Sequence, residues 1–160
     1  MEWREIGQSG EFAAYHAASA FAAETTASRW FRAASSIWTP TLESFESFAN
    51  DQGEIFGLFD NGELRLCVYV ENGKDPEHLT IHLSVLAKIS QDDFVKQCSI
   101  LRDRLFHRGV KTVRGWMCTK NRPLLTLMQR LGFFSTGLKM DQGVSHGRVL
   151  RWELMEVARI

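Results

Sequence analysis

Apolar and polar residues alternate strictly from His78 to Ala87. Leu79, Ile81, Leu83 and Val85 face one way, and His78, Thr80, His82 and Ser84 face the other. That period of two predicts a half-buried strand. Two strand-like runs precede it, Glu54 to Phe59 and Leu64 to Val70. Asp60-Asn61-Gly62 between them is hairpin chemistry, because Asn-Gly tolerates positive φ. The period then lengthens. Phe94, Cys98, Leu101 and Leu105 make one stripe and predict a helix from Gln91 to Arg108, capped by Ser90 and stopped by Gly109. Asp93 occupies the capping-box position of that helix. A strand follows, Lys111 to Cys118.

The next stretch, Asn121 to Phe134, carries both of its ends in the sequence. Asn121 is a favoured N-cap, and Pro123 sits in the first turn, where its missing N–H costs nothing. Leu124, Leu127, Met128 and Leu131 fall on a single apolar face, and Gly132 can end the helix in the left-handed conformation. A strand from Phe133 to Leu138, a polar loop from Asp141 to Gly147 and a last strand from Arg148 to Val157 complete the pattern. Before Glu54 the chain reads as a short first strand, Met1 to Ile6, and then helical pieces. Ser9 caps the first of these, Ser28 to Ile37 is the second, and Thr39-Pro40 starts the third, which ends around Asn50 to Gly53. Residues 1–160 are thus expected to form one domain, helical in its N-terminal part (1–53), with a sheet core and two further helices in 54–160.

Composition narrows the classes. The chain is 44% apolar and 24% charged, as in an ordinary globular protein. Nineteen basic residues balance nineteen acidic ones, so no basic stripe favours nucleic acid or an anionic membrane. No apolar run approaches the roughly 20 residues of a membrane span. The Ala-rich run from Phe12 to Ala23 is broken by His16 and Ser19 and preceded by acids, unlike a signal peptide. Cys67, Cys98 and Cys118 show neither disulfide nor zinc spacing. These features predict a cytoplasmic protein with no metal site and no membrane contact.

Met117, Asn121, Gly132 and Phe133 carry a spacing that resembles the C-terminal half of the GNAT acetyltransferase fold. In that family a strand ends in a Val-like residue four before an Asn, and the Gly of a Leu-Gly-Phe follows eleven residues later. The order of elements is also similar. The resemblance implies an α/β (α+β) fold: a mixed, mostly antiparallel sheet of about six to seven strands, splayed between its fourth and fifth, with helices on both faces. It further implies acetyl-CoA in the splay. The backbone of Leu83, Val85 and Ala87 would hold the pantetheine like an added strand. Lys88, Gln91, Asn121 and Arg122 would flank the cofactor, and His82 or His78 would be the general base toward an amine.

Two departures from the family stand beside this. The family binds diphosphate on a Gly-rich turn, Arg/Gln-x-x-Gly-x-Gly/Ala, before the long helix. Here the run is Leu86-Ala87-Lys88-Ile89-Ser90-Gln91-Asp92-Asp93-Phe94-Val95, with no glycine and two acids. A carboxylate ~6 Å from a phosphate charge repels it by about 2–3 kcal/mol at an effective dielectric near 20. Met128 stands where many members have a Tyr that protonates the departing thiolate, and a thioether cannot donate a proton. Two functions therefore compete. One is an N-acetyltransferase acting on an amine. The other is a catalytically inactive GNAT-like accessory protein. For the latter the chain resembles the divergent GNAT-like proteins of tailed bacteriophages, some linked with virion assembly. Its aromatic N-terminal half (Trp30, Phe31, Trp38, Phe45, Phe48) would then dock a partner chain.

Overall fold

A computed structural model describes residues 1–7, 46–71 and 75–160. The helices expected around Ser9, Ser28 to Ile37 and Thr39-Pro40 lie outside the described residues, as do Trp30, Phe31, Trp38 and Phe45. The described chain forms seven strands and two α-helices: β1 (Glu2–Ile6), β2 (Gly53–Asp60), β3 (Glu63–Glu71), β4 (His78–Val85), α1 (Gln91–His107), β5 (Thr112–Cys118), α2 (Arg122–Arg130), β6 (Phe134–Ser145) and β7 (Arg148–Ala158). A π-helical turn, Phe48–Gln52, leads into β2.

The strands make one sheet in the order β1-β2-β3-β4-β5-β7-β6. Every pairing is antiparallel except β4 with β5. The expected mixed, mostly antiparallel sheet is therefore present. Its parallel step follows from topology, since α1 carries the chain back across the sheet to start β5 beside β4.

Local signals account for the element ends. Asn61 and Gly62 take φ of 49° and 80°, as the β2–β3 hairpin requires. Just beyond the turn the register slips, so that Phe59 pairs with Leu64 and Leu58 with Leu66. Arg65 is the extra residue of this bulge. Ser90 Oγ accepts the N–H of Asp93 at 3.1 Å, and Asn121 Oδ1 accepts that of Leu124 at 3.2 Å. Gly132 has φ of 92°, and Phe133 N–H returns to Met128 O at 3.0 Å. A Cβ at Gly132 would also lie 3.3 Å from Val157 Cγ2. Gly132→Val is thus expected to cost about 2 kcal/mol or more, since the left-handed conformation alone costs an L-residue roughly 1–2 kcal/mol. The melting temperature should fall by several degrees; an unchanged one would contradict this helix end.

One expectation is corrected. Asp141 to Gly147 is not a polar loop. β6 continues to Ser145, and the turn is only His146-Gly147, with φ of 51° and 73°. β6 is an edge strand, exposed along most of its length and bulged twice against β7. It has no buried face to impose an apolar period, so its polar sequence hides a strand.

The main core lies between one face of the sheet and both α-helices. Val68, Leu79, Val113 and Met155 meet Phe94, Leu101, Leu127 and Met128 there. A smaller cluster, including Ile55, Cys67, Tyr69 and Leu86, forms on the opposite face. Trp3 Nε1 donates to Gln97 O at 2.8 Å and ties β1 to α1. Among the described residues no helix is long and apolar enough to cross a membrane.

Candidate functional site at the β4–β5 splay

β4 and β5 pair over three positions only: His78 with Thr112, Leu79 with Val113 and Thr80 with Arg114. Beyond them the strands part, while β5 stays paired to β7 as far as Cys118. Among the described residues no strand pairs with the backbone of β4 from Ile81 to Val85 on that side. Gly115 marks the fork. A Cβ there would lie 3.2 Å from Ile81 O, so a side chain would press on β4 where the strands diverge. The gap opens into a partly open cavity of about 90 Å³. Ile81, His82 and Leu83 line it from β4; Trp116, Met117 and Cys118 line it from β5.

His82 and Leu83 thus meet at the cavity. Nε2 of His82 lies 2.9 Å from Glu71 Oε1. Glu71 pairs with Thr80 in the β3–β4 register, and Tyr69 pairs with His82. Glu71 and His82 are therefore diagonal neighbours on one face of the sheet, within reach of long side chains. His78 is placed elsewhere. It sits at the closed end of the fork with Nδ1 2.5 Å from Thr112 Oγ1 and Nε2 3.7 Å from Asp75, and it does not line the cavity.

Asn121 is 2% exposed. Its oxygen caps α2, and its Nδ2 is buried with no hydrogen-bond partner among the described residues. A buried amide left half satisfied costs about 1–3 kcal/mol, and Asn121 is not among the residues that line the cavity. Arg122 beside it is exposed. Met128 lines the cavity, so the departure read from the sequence falls at the site itself. Cys118 and Cys98 also line it. Burial pushes the Cys98 thiol up to about 12, which leaves it protonated and inert. All three cysteines are free.

The turn between β4 and α1 is held from within the chain. The N–H groups of Leu86 and Ala87 both donate to Arg65 O, at 2.8 and 3.1 Å. Arg65 Nη1 donates to Lys88 O at 2.7 Å. Val85 is buried and Lys88 exposed. Asp93 N–H is taken by Ser90, and Phe94 N–H by Ser90 O. The first two N–H groups of α1, on Gln91 and Asp92, have no partner among the described residues. Neither acid caps them. Asp92 instead pairs with Arg130 of α2 at 3.0 Å, which offsets the charge that would repel a phosphate.

Sequence reasoning missed Glu71, Arg65 and Arg130. Glu71 was accessible in principle, because the β3–β4 register places it diagonal to His82. Arg65 and Arg130 act across 23 and 38 residues of chain and left no local signal.

No protein-family model matches the sequence, and no curated protein matches it. Solved structures do match. The ribosomal-protein-S18-alanine N-acetyltransferase from Escherichia coli superposes with a TM-score of 0.73 at 15% identity, over 98% of this chain and 92% of that one. A probable acetyltransferase from Staphylococcus epidermidis gives 0.76 at 10% identity, over 99% of each chain. A putative acetyltransferase from Salmonella typhimurium, solved with its cofactor acetyl-CoA, gives 0.72 at 18% identity, over 98% of this chain and 92% of that one. The chain has the GNAT fold.

Proposed function

We propose that the protein is an N-acetyltransferase that moves acetyl from acetyl-CoA to an amine in the cytoplasm. The observation that carries this is the fork itself: three paired positions, then an open strand edge over a cavity lined by His82, whose imidazole pairs with Glu71. Leu83 and its β4 neighbours offer backbone groups to a pantetheine-like chain. The open N–H groups of Gln91 and Asp92, at the positive end of α1, favour an anion.

Acetyl-CoA, when bound, supplies the thioester carbonyl. His82 takes a proton from the acceptor ammonium, so that its nitrogen lone pair is free to attack. Glu71 stabilises the imidazolium that forms. The carbon–nitrogen bond forms as the carbon–sulfur bond breaks. Met128 gives the departing sulfur no proton, and little is required, since a thiol is only a weak acid near 8.5 and leaves readily as thiolate. Holding the two reactants together supplies much of the rate.

A second reading rests on the β4–α1 turn. Arg65 and Ser90 occupy four of its N–H groups, as expected of a GNAT-like protein that has given up its cofactor and serves as a binding accessory. Calorimetric titration separates the two. Micromolar binding of acetyl-CoA and CoA is expected for the enzyme. No heat at millimolar ligand would leave the accessory reading.

A further inference from the structure

The cavity does not stop where a two-carbon acyl group would. On the sheet side its lining runs from Cys118 at the open end of β5 to Val113, which is paired to Leu79 below the fork. On the helix side it runs from Phe94 in the first turn of α1 to Leu105, eleven residues on. At 1.5 Å per helical residue that is a strip of roughly 16 Å. Beyond a thioester beside His82 and Trp116 the lining continues three strand residues further, to Val113.

The walls of that end are apolar: Val68, Leu101, Leu105, Val113 and Phe133. The polar group that reaches the cavity from the helix side is Arg102. Its guanidinium is already committed, to Leu131 O at 2.6 Å and to Asp103 at 2.9 Å. A terminal carboxylate on the acyl chain would find no free cation there among the described residues. An aliphatic chain would cover this apolar surface, and removing apolar surface from water is favourable.

We infer that the site also takes aliphatic acyl thioesters longer than acetyl and binds them more tightly, with the extra carbons lying between β5 and α1 below the fork. This rests on the acyltransferase reading above and names the class of its donor. The cavity of about 90 Å³ limits the extension to a few carbons. Each methylene moved from water into such a site is worth about a fourfold gain in affinity.

The test is a calorimetric series on the purified protein with CoA, acetyl-CoA, propionyl-CoA and butyryl-CoA. Affinity is expected to rise about fourfold per added methylene, so butyryl-CoA binds about fifteenfold tighter than acetyl-CoA. If acetyl-CoA binds and the longer donors bind no tighter, this inference is wrong and the acyltransferase reading stands. Silence from all four overturns both. In Leu101→Phe, which fills the closed end, the butyryl-to-acetyl affinity ratio should fall to near one; an unchanged ratio would place the acyl chain elsewhere.

Discussion

Replacing His82 by glutamine is expected to slow acyl transfer by about 10²–10⁴-fold, the range general-base catalysis typically supplies. Glutamine keeps much of the bulk and polarity but cannot accept the proton. The effect should fall on kcat, because His82 sits at the fork on the face opposite α1 and contributes nothing to the diphosphate end of the site. Release of free CoA thiol in the presence of an amine acceptor reports the rate. Glu71→Gln should cost less, about tenfold, since it removes a partner of the imidazolium and leaves the base in place. A His82→Gln protein that turned over normally would remove the base assigned to this site.

Phe94→Ala is expected to destabilise the fold by about 3–5 kcal/mol, the usual range for a buried Phe. Phe94 is fully buried in the first turn of α1, where the core, the cavity and the capped helix end meet. For a chain of this size each kcal/mol shifts the thermal midpoint by roughly 2–4 °C, so a drop of roughly 6–20 °C should follow. A drop of only a degree or two would mean that the ring is not the keystone of that corner.

These residues differ in how much of their role the chain discloses locally. The α2 segment was legible because its cap, its apolar face and its terminating glycine lie within a dozen residues of one another. Asn121, Met128 and Gly132 stand where that pattern put them. The β4 alternation was equally plain, yet it assigned His82 to the same side as His78 and could not say which reaches a cavity. That depends on where β5 leaves β4, and Gly115 and the β5–β7 pairing decide it.

Charge was the least legible property. Asp92 and Asp93 at the start of α1 read as a barrier to phosphate. The structure pairs Asp92 with Arg130 from another helix, and it is Ser90 that caps the helix. A sequence gives the count of charges near a site but not their partners. Arg65 shows the same for the backbone. A bulge after the Asn-Gly turn directs its carbonyl and side chain to the β4–α1 turn, and no local pattern marks that contact.

The most direct test of the central claim is a crystal structure of the protein grown with CoA. The account predicts pantetheine lying along Leu83 in the gap between β4 and β5, and the diphosphate against the N–H groups of Gln91 and Asp92. Crystals grown in millimolar CoA that show the gap free of ligand, or CoA bound away from the fork, would contradict it.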